Sequence, residues 1–147
     1  DLLRKAASGL MGAERVQLNV NPGTDGRSTV QTDPYLLLVV LRNLLDNALK
    51  YSPPDSKVLA RLTLPDAQGS WALTVSNRPG RAGSPDAARV FDKYYRSPGA
   101  SHRSGSGLGL YLVRGLTQRL GGQLHYRPDD THIRFCLTMP ATEETCR

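Results

Sequence analysis

The sequence predicts a two-layer α/β sandwich: one mixed, mostly antiparallel sheet covered on one face by helices. Two long segments carry apolar residues at helical spacing. Short alternating segments flank them in the order strand–strand–helix–strand–strand–loop–helix–strand–strand. The regular strand–helix alternation of a doubly wound parallel sheet is missing, which excludes that architecture. A length of 147 residues, 39% hydrophobic and 22% charged, suits a single domain with one core. No apolar run reaches the roughly 18 residues of a membrane span.

Taken in order, residues 1–15 read as a short, weak helix or lead-in containing Gly9 and Gly12. Residues 16–20 alternate as a half-buried strand, broken by Asn21-Pro22-Gly23. Asp25-Gly26 marks a turn into a second short strand near 28–31, making a predicted hairpin. The strongest helix follows. Asp33 is placed to cap it, Pro34 fits its first position, and Pro53-Pro54 ends it near Tyr51. Its Leu37, Leu41, Leu44, Leu45 and Ala48 form one stripe, while Asn43, Asn47 and Lys50 lie opposite, within an arc of roughly 60°.

Residues 58–64 and 71–75 read as an antiparallel strand pair, with Trp71 in the sheet core. Residues 78–104 lose all periodicity over 27 positions rich in Pro, Gly, Ser and Arg, a length typical of functional loops. Val90, Phe91, Tyr94 and Tyr95 are its predicted anchors. A glycine-rich stretch then opens a second helix with Leu108, Leu112, Val113, Leu116 and Leu120 on its stripe, ended by Gly121-Gly122. Two strands, 123–127 and 132–139, close the domain around Pro128-Asp129-Asp130, with Cys136 read as a small core residue. Residues 141–147 read as a tail.

The net charge is +6, from 19 basic and 13 acidic residues, which permits nucleic acid, acidic lipid or a phosphate ligand as partner. Its distribution narrows that choice. Arg78, Arg81, Arg89, Lys93, Arg96 and Arg103 face only Asp86 and Asp92 within the long loop, so most of the excess sits in one segment. Such clustering favours a compact polyanion such as a triphosphate over a diffuse nucleic-acid face, and no nucleic-acid-binding motif is present. Two cysteines, Cys136 and Cys146, lack both a disulfide framework and metal-ligand spacing and fit a reducing cytosol. His102 reads as a loop residue, and His125 and His132 occupy predicted strand positions. The N-terminus has no signal-peptide core and no initiator Met, as expected for a piece of a longer protein.

Gly105-Ser106-Gly107-Leu108-Gly109 is neither a dinucleotide fingerprint nor a P-loop. Glycines leading into a helix still let bare N–H groups approach an anion at the positive end of the helix dipole. They equally suit an ordinary loop. On the first helix, a carboxamide oxygen is a hard donor suited to Mg²⁺, and a Lys one turn on offsets phosphate charge. A solvated face explains the same residues, although two asparagines four apart in mid-helix are unusual.

Three motifs together carry a resemblance. Leu41-Arg42-Asn43-Leu44-Leu45-Asp46-Asn47-Ala48-Leu49-Lys50-Tyr51-Ser52 resembles the N box of sensor histidine kinases, members of the superfamily that includes gyrase, Hsp90 and MutL. Phe91-Asp92-Lys93-Tyr94-Tyr95-Arg96 resembles their F box, and Gly105-Ser106-Gly107-Leu108-Gly109-Leu110 their G2 box. They occur in family order, and the resemblance extends from about residue 14 to Pro140.

The resemblance implies a Bergerat fold that binds ATP and Mg²⁺ and transfers the γ-phosphate to a histidine on a separate dimerisation domain. Asn47 would then ligate Mg²⁺, Asn43 would support the metal–phosphate network through water, and Lys50 and Tyr51 would line the phosphate–ribose side. Arg96 would approach the γ-phosphate, with Lys93 beside it among the nucleotide-binding residues. Gly105, Gly107, Leu108 and Gly109 would cradle the phosphates. Hydrolysing relatives carry Glu where this chain has Asn43, and an amide cannot serve as that base. The resemblance further implies residues 1–15 as a lead-in from the dimerisation region, 16–140 as the catalytic domain, and 78–104 as its lid. It implies a response regulator downstream and a homodimeric parent whose catalytic domain is cytoplasmic, compatible with attachment to the bacterial inner membrane.

One motif departs. The family's G1 box reads approximately Val-x-Asp-x-Gly-x-Gly, whereas here Val75-Ser76-Asn77-Arg78-Pro79-Gly80 puts Asn77 at the adenine-binding Asp and shortens the loop by one residue. A neutral acceptor gives a weaker bond to the adenine amino group, and the amide's donors would relax the preference for adenine over guanine. On that reading, Asn77→Asp tightens ATP binding. The change also opens an alternative: a regulatory module of the same fold with weak or no nucleotide binding.

Overall fold

Asp33 starts the longest helix as its sequence predicts, its carboxylate accepting the Tyr35 and Leu36 amides at 2.9 and 3.2 Å. The computed structural model describes residues 2–22, 32–81, 83–93, 95 and 109–140. Within them run α1 (Leu2–Ala7), a single 3₁₀ turn (Ala13–Arg15), β1 (Val16–Asn21), α2 (Pro34–Tyr51), β2 (Val58–Thr63) and β3 (Trp71–Asn77). They are followed by α3 (Gly109–Arg119), β4 (Gln123–Tyr126) and β5 (Ile133–Met139). The predicted strand at 28–31, and with it the hairpin, lies outside the described residues, as does the 141–147 tail.

The sheet order is β1-β2-β3-β5-β4. β1 and β2 are parallel, with Val16 opposite Val58, and the other pairings are antiparallel. Parallel neighbours need a crossover connection, and α2 lies within the one joining β1 to β2. This is the predicted mixed, mostly antiparallel sheet.

Leu37, Val40, Leu41, Leu44, Leu45, Ala48 and Leu49 of α2 are buried, so the predicted stripe does face the core. The sheet offers them Val58, Ala60, Leu73, Val75, Phe135 and Leu137. Trp71 is buried as expected. Leu3, Ala6 and Ala7 of α1 join the same core, and Arg42 of α2 donates to the Ser8 carbonyl at 3.1 Å.

Four expectations fail for geometric reasons. As an edge strand of the sheet, β1 is mostly exposed rather than half-buried, with Leu18 and Val20 among its exposed residues. Cys136 is not a core residue. Strand side chains alternate, and Phe135 and Leu137 take the inner face, so Cys136 stands half-buried on the outer one and accepts from the Thr74 hydroxyl at 3.5 Å. Leu112 is 50% exposed, because the buried stripe of α3 is set by Val113 and Thr117, with Leu110, Leu116 and Leu120 partly buried beside them. Thr117 is tolerated there since its hydroxyl donates to the Val113 carbonyl at 2.7 Å. His132 belongs to the turn ahead of β5, where its amide donates to Asp129 at 2.8 Å. The Asp129 carboxylate also pairs with Arg134 and accepts the Thr131 amide, which together hold it well below the usual carboxylate range.

Helix α3 ends as its glycines predict. Gly121 has φ +87°, and Gly122 donates to the Thr117 carbonyl at 3.0 Å. Gly122 is also required by packing: a Cβ there would lie 2.7 Å from the Thr138 carbonyl oxygen and would collide with the Met139 sulfur. Gly122→Ala is therefore expected to destabilise the protein by about 1–3 kcal/mol, the cost of overpacking. Urea unfolding followed by circular dichroism measures it.

Candidate functional site

The outward stripe of α2 reaches helix α3. Asn43 is half-buried, its side-chain nitrogen donating to the Val39 carbonyl at 2.7 Å. Its oxygen lies 3.8 Å from where a Cβ on Gly109 would stand. Gly109 is exposed and is the first residue of α3. The Asn43 carboxamide is thus brought to the positive end of another helix, although 66 positions separate Asn43 from Gly109 in sequence.

Asn47 follows one turn after Asn43, half-buried on α2. Lys50 is paired with Asp46 at 2.9 Å, both side chains about 40% exposed. The pair contributes about 0.5 kcal/mol or less, as expected for an exposed i,i+4 ion pair. Lys50 can therefore exchange Asp46 for a stronger anion at little cost.

Tyr51, the last residue of α2, meets the altered loop after β3. Gly80 donates its amide to the Tyr51 carbonyl at 2.9 Å, and a Cβ on Gly80 would sit 2.8 Å from that same oxygen. Asn77 closes β3 and is only 3% exposed. Its side-chain nitrogen donates to the Arg78 carbonyl at 2.8 Å, which fixes the amide plane and turns the side-chain oxygen the other way. An aspartate could not make this bond, and would set a carboxylate against a carbonyl oxygen. Asn77→Asp therefore gives up this bond, a cost set against any gain from a charged acceptor toward the nucleotide.

In the long loop, Val90 is buried and Phe91 packs edge-on to Phe135 with centroids 6.1 Å apart. Tyr126 donates its hydroxyl to the Pro85 carbonyl at 2.8 Å, and the Tyr95 hydroxyl accepts the Asp86 amide at 3.1 Å. Val90, Phe91 and Tyr95 are anchors, as predicted; Tyr94 lies outside the described residues. Lys93 is exposed, its ammonium 5.8 Å from the ring centroid of Tyr111 on α3. Arg96, Gly105, Gly107 and Leu108 lie outside the described residues.

The structure adds Arg15 and Gly80 to the site's surroundings. Gly80 was legible as a glycine in the loop directly after a strand. Arg15 belongs to no motif, and no spacing marks it.

Compared with known proteins, residues 32–143 match the family described as histidine kinase-, DNA gyrase B-, and HSP90-like ATPase. The chain belongs to this family, and within it to the sensor histidine kinase type. It is 36% identical over 127 residues to the swarming motility regulation sensor protein RssA of Serratia marcescens, covering 85% of this chain and 26% of that protein. It is 43% identical over 91 residues to the signal transduction histidine-protein kinase/phosphatase MprB of Mycobacterium sp. (strain KMS), covering 60% of this chain and 17% of that protein. The chain thus spans about a quarter or less of these curated relatives. Among solved structures, the mycobacterial sensor histidine kinase MprB superposes with a TM-score of 0.72 at 28% identity, covering 95% of both chains. Full-length ShkA in complex with AMPPNP gives the same TM-score at 21% identity, covering 95% of this chain and 29% of that one, a likeness of fold.

Because Gly80 touches backbone, its side-chain-free contact should be indispensable to the loop. Gly80→Ala is expected to force the loop off Tyr51 and cost about 1–3 kcal/mol of stability. The amide of residue 80 should then exchange with solvent faster in the variant, as read by NMR.

Proposed function

We propose that this chain is the part of a two-component sensor kinase that binds Mg²⁺-ATP and passes the γ-phosphate to a histidine on a separate dimerisation domain, from which a response regulator receives it. The observation that carries this reading is the approach of the Asn43 carboxamide to Gly109 at the start of α3, with Asn47 and Lys50 following on the same face of α2. That arrangement suits a metal-bound polyphosphate. Asn47 offers a hard oxygen to Mg²⁺, and Asn43 supports the same network through water. Gly109 would present its backbone N–H to phosphate, with Gly105, Gly107 and Leu108 as the other residues that the motif assigns to the cradle. Lys50 and Tyr51 line the phosphate–ribose side, while Lys93 and Arg96 bring positive charge from a lid spanning 78–104. When bound, the metal–nucleotide supplies the activated phosphoryl group; the protein contributes position and charge.

Asn43 also decides the reaction type. An amide takes no proton from water, so the site favours transfer to an external acceptor over hydrolysis. Asn77 meets the base with its side-chain oxygen: the Arg78 carbonyl takes one of the two amide hydrogens and orients the group, leaving the other hydrogen free. That oxygen suits the amino group of adenine, while the remaining N–H can serve the carbonyl of guanine, so adenine is preferred by less than an ionised acceptor would give. In the parent protein, residues 1–15 lead in from the dimerisation region, residues 16–140 form the catalytic domain, and 141–147 trail as a tail. The parent is a homodimer, with this domain cytoplasmic and its attachment at the bacterial inner membrane.

Titration with a fluorescent ATP analogue should give saturable, Mg²⁺-dependent binding, and Asn47→Ala should abolish phosphotransfer to a supplied acceptor domain while the circular dichroism spectrum is kept. No binding by the unaltered chain would leave a non-catalytic module of the same fold. Full transfer by Asn47→Ala would remove Asn47 from the metal.

Competition between nucleotides reads the base. ATP is expected to displace the analogue a few-fold, up to about tenfold, more effectively than GTP, roughly the worth of one neutral hydrogen bond. Equal displacement would mean that Asn77 does not face the base.

A further inference from the structure

Arg15 stands outside every motif, yet it makes four hydrogen bonds to one short stretch of chain. Nη2 donates to the Leu49 carbonyl at 2.7 Å. Nη1 lies within reach of the Ser52 hydroxyl at 3.0 Å, the Pro53 carbonyl at 2.8 Å and the Ser56 carbonyl at 3.0 Å. These acceptors belong to the last turn of α2 and the connection to β2, where helix carbonyls lack partners and a positive charge is favoured. Leu49 and Ser52 bracket Lys50 and Tyr51. On the other side of that turn, the Tyr51 carbonyl accepts the Gly80 amide. Gly12 belongs to the same device, since its φ of +88° is a left-handed conformation and a Cβ on it would crowd the Arg15 Nε at 3.3 Å.

We infer that Arg15 is a positioning residue of the nucleotide site: from outside it, the guanidinium fixes the Lys50–Tyr51 turn against the loop carrying Asn77 and Gly80. This rests on the nucleotide reading above for its functional consequence, and on the observed bonds for its structural one. The fork supplies two separate donor nitrogens, Nη2 for Leu49 and Nη1 for Ser52, Pro53 and Ser56, where an ammonium offers only one. The bonds converge on the turn that presents Lys50 and Tyr51, so losing them should misplace those residues while the apolar core of α2 stays buried.

The test is a double-mutant cycle with an amide-exchange readout. Arg15→Ala is expected to raise the Kd for the fluorescent Mg²⁺-ATP analogue about tenfold, the equivalent of one charge-assisted hydrogen bond. Arg15→Lys should recover part of that loss, and Arg61→Ala on the outer sheet face should change nothing. In a Lys50→Ala, Tyr51→Ala background, Arg15→Ala should add less than about twofold, because residues acting through one another are not additive. Without nucleotide, the Gly80 amide should exchange faster in Arg15→Ala. An unchanged Kd in folded Arg15→Ala, or the full tenfold loss in the doubly substituted background, would overturn the proposal. Should the unaltered chain bind no nucleotide while Gly80 exchange still quickens in Arg15→Ala, the nucleotide reading falls and the hold of Arg15 on the turn stands.

Discussion

Everything in the site follows from the two-sidedness of α2. Seven of its side chains are buried, the five leucines and the valine among them each worth about 1.5–3 kcal/mol, and their sum fixes the rotation of the helix about its axis. Asn43, Asn47 and Lys50 make no comparable contribution; they face where they do because the leucines face the other way. Rotation by one residue, about 100°, would turn the amides toward the core and expose leucine to water. Hydrophobic packing thus aims the polar chemistry.

The ends of α2 matter as much as its faces. The Asp33 carboxylate satisfies amides at its start, and the Arg15 guanidinium collects carbonyls at its finish. Negative charge at the N-terminus and positive charge at the C-terminus both oppose the helix dipole favourably. The crossover from β1 to β2 is held at the same point, since Arg15 immediately precedes β1 and its acceptors Pro53 and Ser56 precede β2.

The loop between β3 and α3 divides by chemistry. From Pro85 to Phe91 it is tied to the sheet through Tyr126 and Phe135 and closed on itself by Tyr95. Arg114 of α3 adds its guanidinium 5.5 Å from the Phe91 ring centroid, and Tyr126 lies 5.1 Å from Phe135. An aromatic cluster therefore anchors the F-box phenylalanine next to α3, while Arg89 and Lys93 beside it stay exposed.

By itself, the sequence determined the elements whose signal is local. Asp33-Pro34 and Pro53-Pro54 bound α2, Gly121-Gly122 ends α3, and alternation marks β2, β3 and β5, because capping, proline geometry and periodicity all act over a few residues. The three motifs also made the family legible, since their order and residue types are properties of the chain. Tertiary structure decided the rest. Which parity of β5 faces inward depended on Phe135 and Leu137 meeting the helices, so Cys136 went outward. The stripe of α3 was settled by contact with α2, so Leu112 was left exposed. The direction of the Asn77 amide was set by the Arg78 carbonyl, and the role of Arg15 by carbonyls 34 to 41 positions away. Hydrogen bonds between distant residues leave no periodic trace, because their partners are chosen by the folded backbone rather than by neighbours in sequence.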